Sequence, residues 1–124
     1  RYTLTDSSAA SDVYKRQWDM TIWISDRGIE SGRLKDILIH EAAHAYSYLV
    51  LRGCVVPDGS SFRELAHKRY GDEEYLADIF VLYYGGKWTN YDGRENIPIR
   101  DRSWMSNMID YCNLYEEALA TLSS

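Results

Sequence analysis

Cysteine is scarce in this chain: two in 124 residues, Cys54 and Cys112, far apart and neither in a CxxC pair. That excludes a disulfide framework, allows one bridge at most and leaves the redox compartment open. Basic runs are absent and the net charge is −5, so nothing in the chain is suited to displacing counterions from a phosphate backbone. Nucleic acid is excluded as the expected partner. No apolar stretch approaches the roughly 20 residues a membrane span needs; the longest cluster, over residues 46–51, is short and belongs to a helix. Phenylalanine is also sparse, with 2 residues against 11 tyrosines and 4 tryptophans. These amphipathic aromatics suit a groove that binds extended peptide as well as they suit a half-buried core.

With 45% hydrophobic and 27% charged residues, the chain has the composition of one compact globular domain. Residues 1–17 stand apart. The segment Asp6-Ser7-Ser8-Ala9-Ala10-Ser11-Asp12 is small and polar without periodicity, and residues 7–17 look like translated adapter sequence, so residues 1–17 are expected to be a disordered or non-native leader. A start of that kind would erase any targeting segment. Residues 18–124 are expected to form the single domain.

From Trp18 the pattern becomes regular. Met20, Ile22 and Ile24 alternate with Thr21, Trp23 and Ser25, the period of a half-exposed strand. Asp26-Arg27-Gly28 reads as a turn, and Ser31 as the N-cap of a helix over residues 32–52, with Leu34, Ile37, Leu38, Ala45, Leu49 and Arg52 as its packed stripe. Ser61-Phe62-Arg63-Glu64 has capping-box spacing and opens a short helix ending near Gly71. Asp72 caps the next helix, over residues 73–84, which closes at Gly85-Gly86. Residues 87–101 read as a loop and residues 104–122 return to helical spacing.

The long helix over residues 32–52 carries His40-Glu41-Ala42-Ala43-His44. Positions four apart on a helix stand one above the other, so two imidazoles there can reach one tetrahedral ion. Zn²⁺ is the expected cofactor, one per chain. Glu41, beside the first ligand, is placed to take a proton from metal-bound water, and zinc lowers the pKa of that water toward neutrality. The chemistry this fits is hydrolysis, with Glu41 as the catalytic base. The continuation found in metzincins is absent, since Ser47 and Val50 stand where Gly and His would be.

Downstream, Glu74-Tyr75-Leu76-Ala77-Asp78 sets two carboxylates four apart on one helix face. With HExxH on one helix and ExxxD on a later one, the sequence resembles the thermolysin-like gluzincins over residues 18–84. The resemblance implies an α+β, zincin-like fold, with an edge strand that pairs with substrate and mostly helices behind it. It implies Glu74 as the third zinc ligand, with His40 and His44, and Asp78 as the hydrogen-bond partner that orients His40. It implies a metallopeptidase acting on peptide or protein substrates. An additional short helix is inserted between the two motifs, and no histidine follows His67 to stabilise an oxyanion; Tyr83, Tyr84, Tyr91 and Arg102 are the substitutes the sequence offers.

Other assignments compete. His67 makes a three-histidine site conceivable, but its neighbours Arg63, Glu64, Lys68 and Arg69 suit a solvated helix face better. Glu73 competes with Glu74 for the metal, yet only Glu74 is in register with Asp78, which is itself an alternative ligand. At the level of function, the rival is a non-catalytic module that binds a peptide or partner on a zincin scaffold. A third reading takes the chain as a fragment of a larger peptidase lacking its substrate lobe.

Overall fold

The computed structural model describes residues 3–6, 21–87, 89, 93–94 and 96–123. Two short strands, β1 (Thr3–Asp6) and β2 (Thr21–Ile24), pair in parallel, with Thr3 opposite Thr21 and Asp6 opposite Ile24. Among the described residues five α-helices follow: α1 (Asp26–Glu30), α2 (Leu34–Leu49), α3 (Phe62–Tyr70), α4 (Glu73–Tyr83) and α5 (Ile99–Ser123). A single 3₁₀ turn over Leu51–Gly53 extends α2.

This architecture corrects the expected α+β, zincin-like fold with an edge strand. The described chain is essentially helical, and its only ladder is a pair of four-residue parallel strands. Two such strands cannot form a layer of a domain on their own. The alternation around Ile22 does mark a strand at Thr21–Ile24, but among the described residues no larger sheet stands behind it for which it could serve as the edge. Trp18 and Met20 lie outside the described residues, as do residues 7–17 of the expected leader.

Helix α4 is the centre of the core. Leu76, Ala77, Ile79, Phe80, Val81 and Leu82 are all buried, and a large aliphatic side chain so placed contributes roughly 1.5–3 kcal/mol. The face of α2 that meets α4 is therefore under strong constraint. It consists of His40, Ala43, His44, Ala45 and Ser47, all buried. The stripe expected from hydrophobic spacing is displaced: Ala45 belongs to it, but Leu49 is exposed and Arg52 lies over the Tyr48 ring. Helix α2 thus turns its motif-bearing face inward. Small residues, Ala43 and Ala77, let the two helices approach.

The ends of α2 also differ from expectation. Ser25 caps α1, accepting a hydrogen bond from the Gly28 amide at 3.1 Å, and Ser31 terminates that helix instead of starting α2. Gly32, with φ of 78°, breaks the chain before α2 begins at Leu34. The other punctuation holds. Ser61 and Glu64 form the capping box of α3, and Asp72 caps α4 by accepting from the Glu74 and Tyr75 amides. Gly85 closes α4 in a left-handed conformation (φ 86°), and the Gly86 amide returns to the Val81 carbonyl at 2.8 Å. Helix α5 starts earlier than its spacing suggested, just after Pro98, and buries Met105, Met108 and Cys112. Cys112 is disulfide-bonded to Cys54, which ties α5 to the segment after α2.

Candidate metal centre

His40 and His44 stand one turn apart on α2, with ring centroids 4.8 Å apart and planes at 83°. Both are almost wholly buried against the first turns of α4. Each ring turns its Nε2 toward the same point: the two Nε2 atoms are 3.2 Å apart, and the Glu74 carboxylate lies 3.5 Å from His40 Nε2 and 2.5 Å from His44 Nε2. Among the described residues, His40, His44 and Glu74 form the cluster whose ligand atoms all fall within 4.8 Å of one another.

This donor set fits zinc. At the usual bond lengths of about 2.0–2.1 Å, the ligands of a tetrahedral zinc lie about 3.3 Å apart. The 3.2 Å and 3.5 Å separations bracket that value, whereas Glu74 and His44 Nε2, at 2.5 Å, stand at hydrogen-bond distance and move apart to admit an ion. The chemistry also fits, since two imidazole nitrogens and one carboxylate oxygen are a frequent zinc triad that leaves a fourth position for a reactant.

Behind the cluster, each imidazole has a carboxylate on its other nitrogen. His40 donates from Nδ1 to Asp78 Oδ1 at 2.9 Å, and Asp78 is completely buried. His44 donates from Nδ1 to Glu73 Oε2 at 3.0 Å. Both bonds leave Nε2 as the nitrogen that faces the cluster. Asp78 therefore sits where the ExxxD register places it. Glu73 does not compete with Glu74 for the cluster and instead stands behind His44.

The titration of these groups in the metal-free protein reports how much negative charge surrounds the two rings. For His44, burial opposes protonation and is the largest single influence, yet the hydrogen bonds to Glu73 and Glu74 outweigh it and raise its pKa to about 9. His40 is raised in the same way, burial being overcome by Asp78 and Glu74. Burial likewise works against the ionised form of Glu73, but His44, His67 and Ser47 hold its pKa down at about 2. Burial also works against the ionised form of Glu74, yet its bonds to both imidazoles outweigh that and hold it far below the ordinary carboxylate range. The field of Glu41 reaches both rings as well. Four carboxylates thus surround two imidazoles, which in the metal-free protein take up protons in response.

Of the candidates for oxyanion stabilisation, the described ones, Tyr83, Tyr84 and Arg102, do not gather here. Tyr83 follows Glu74 by about two and a half turns of α4 and lies on the opposite face. Its hydroxyl is 2.6 Å from Ser106 Oγ, and its carbonyl accepts from Arg102. Tyr84 lines an apolar groove with Ile39, Tyr46, Phe80 and Ile109, on the side of α2 away from the histidines. Tyr91 lies outside the described residues.

His67 is not in the cluster, and its expected solvated setting is corrected too: its Nε2 contacts Glu73 Oε1 at 2.6 Å, and the side chain is only 29% exposed. Ser47 and Arg63 converge on the same oxygen, at 2.7 Å and 3.4 Å. Sequence reasoning gave none of these three a role beside Glu73. Ser47, three residues after His44, carried a signal in its helical spacing; Arg63 and His67 depend on how α3 packs, which no local pattern encodes. Among the described residues no helix is long and apolar enough to cross a membrane. No protein-family model matches the chain, and neither does any curated protein or solved structure.

Proposed function

We propose that this chain is a zinc-dependent peptidase that binds one zinc through His40, His44 and Glu74 and hydrolyses peptide bonds with Glu41 as general base. One observation carries the reading. Two imidazole nitrogens and a carboxylate converge at ligand spacing, on a helix whose HExxH motif sets a further carboxylate beside the first ligand. That combination of HExxH and a downstream glutamate is the gluzincin ligand pattern.

Zinc, when bound, polarises a carbonyl and makes water acidic near neutrality. The chain's own groups supply the rest. Asp78 fixes the tautomer of His40 and the orientation of its ring. Glu41 takes the proton of the attacking water and returns it to the leaving amine, a role that requires it to be ionised at the start of the cycle. Residues of α2 and α4 hold these groups on two packed helices, so their relative placement is set by the core and not by loops.

The test is Glu41→Gln, assayed for zinc content and for cleavage of a fluorogenic peptide library. The amide keeps the shape of the side chain and loses the base. The expected result is one zinc per chain in both proteins, with hydrolysis reduced by at least about 100-fold in the variant. A parent without zinc, or a variant that cleaves as fast as the parent, overturns the proposal. A parent that holds zinc and cleaves nothing favours a binding module instead.

A further inference from the structure

We infer that Glu73 is the positioning residue for His44, and that α3 exists in this fold partly to aim it. The inference rests on the zinc reading and concerns groups outside the ligand set. Glu73 and Glu74 are adjacent in the first turn of α4, about 100° apart around its axis, so they straddle the motif face of α2. Glu74 reaches the Nε2 side of the rings. Glu73 passes behind them and places Oε2 at 3.0 Å from His44 Nδ1.

The other oxygen of Glu73 is an anchor. Oε1 takes Ser47 Oγ at 2.7 Å, His67 Nε2 at 2.6 Å and Arg63 Nε at 3.4 Å. Ser47 Oγ in turn accepts from Arg63 Nε at 3.2 Å. Ser47 comes from α2, one turn beyond His44 and fully buried, while Arg63 and His67 come from α3. With Oε1 held from two helices, the carboxylate plane is fixed and Oε2 has one direction left, toward the imidazole. The two cationic or polarisable groups from α3 also offset the cost of burying this charge.

This accounts for the additional helix between the two motifs. It presents Arg63 and His67, four residues apart on one face, to the carboxylate that supports the second histidine. The two histidines are therefore supported differently. His40 depends on Asp78 from within α4, whereas His44 depends on a network that joins α2, α3 and α4. Perturbing Glu73 should loosen His44 and leave His40 in place.

The experiment compares the parent with Glu73→Ala, Glu73→Gln and Ser47→Ala, all with the disulfide intact. Zn²⁺ affinity is measured by competition with a chromophoric chelator, and the imidazole N–H signals of the zinc-loaded, ¹⁵N-histidine-labelled proteins are recorded by NMR. Glu73→Ala is expected to weaken Zn²⁺ binding by about 10- to 100-fold, as loss of a partner behind a metal-binding histidine does. In its spectrum the Nδ1–H of His44 is lost to solvent exchange while that of His40 persists. Glu73→Gln, whose amide oxygen still accepts from Nδ1–H but whose NH2 cannot accept from Arg63 Nε, should restore the His44 signal while leaving Zn²⁺ binding about 3- to 10-fold weaker than in the parent, as the freed anchor does. Ser47→Ala, the variant least disruptive to folding, should weaken binding by about 3- to 10-fold through the freed anchor.

Zn²⁺ affinity within about twofold of the parent in Glu73→Ala, with the His44 signal retained, overturns the positioning role while leaving the zinc reading intact. If Glu73→Ala does not fold, unchanged affinity in Ser47→Ala has the same force. A parent that binds no Zn²⁺ overturns the zinc reading and this inference with it.

Discussion

His40 and Asp78, 38 residues apart in sequence, meet through a 2.9 Å bond between Nδ1 and Oδ1 inside a fully buried contact of α2 with α4. A carboxylate with no solvent exposure is tolerated only where hydrogen bonds and a nearby positive charge compensate its lost hydration. Here the compensation serves the site, since it fixes which nitrogen of His40 faces Glu74. The expected consequence for Asp78→Asn is a fall in Zn²⁺ affinity of about 10- to 100-fold, measured by chelator competition. The amide is isosteric, so the fold should survive. An affinity equal to that of the parent would show that the tautomer of His40 is set by something else.

Zinc should also stabilise the fold, because its ligands come from the two helices that form the core. A ligand present at 100 times its dissociation constant adds about 2.7 kcal/mol, which for a domain of this size corresponds to a rise in melting temperature on the order of 10 °C. The rise should disappear in Glu74→Ala and in His44→Ala, which each remove one donor atom. Melting curves with and without Zn²⁺ measure this directly. A rise of equal size in Glu74→Ala would remove Glu74 from the ligand set.

How much of this was legible in the sequence follows from the range of each signal. Helix ends that rest on local chemistry were readable, as Ser61 with Glu64, Asp72 and Gly85 demonstrate. The pairing of His40 with His44 was also readable, because spacing of four on a helix fixes a face whatever the tertiary context, whereas Glu74, on another helix, came from the resemblance to the gluzincins. What could not be read was which face α2 would bury. Leu34, Ile37, Leu38 and Leu49 advertise one stripe, but α4 is apolar over nearly its whole length and takes the histidine face, with Ala43 and Ala77 at the contact. The α+β expectation failed for a related reason. Alternation over a few residues marks a strand such as Thr21–Ile24 but says nothing about how many partners it has. The support of His44 by Glu73, Ser47, Arg63 and His67 was the least accessible, since it requires three helices to be placed first.

The disulfide offers a test of what holds α5 to the rest. Cys54 and Cys112 are separated by 58 residues, with Cα atoms 5.6 Å apart, and both side chains are fully buried. On the chain-entropy model a loop of that length constrains the unfolded state by about 4 kcal/mol, within the range of about 2–5 kcal/mol seen on removal of native bridges. The double variant Cys54→Ala/Cys112→Ala is expected to lose stability in that range in urea unfolding. Zinc stoichiometry should be unchanged where the variant is folded, because no ligand lies on α5. Coincident unfolding midpoints for parent and variant would refute the structural role of the bridge.

Gly86 connects the end of α4 to the start of α2 and so tests whether the site depends on their packing. A Cβ built there would lie 2.6 Å from Val81 Cγ1, 2.6 Å from Asp36 Oδ1 and 2.9 Å from the Val81 carbonyl oxygen. The carbonyl is helix backbone and cannot move aside, and the Gly86 amide is already bonded to it. Asp36, in the first turn of α2, accepts from the Lys87 amide at 3.1 Å, so any shift of this corner is passed to the helix that carries His40. Overpacking at such a point typically costs about 1–3 kcal/mol. Gly86→Ala is therefore expected to lower stability by that amount in urea unfolding and to weaken Zn²⁺ binding although it touches no ligand. Gly59→Ala, at a turn where an added Cβ meets nothing within 4 Å, is the comparison: its φ of 93° strains the local backbone, but Zn²⁺ affinity should stay at the parental value. If Gly86→Ala and Gly59→Ala bind Zn²⁺ equally well, the packing at this corner does not govern the site.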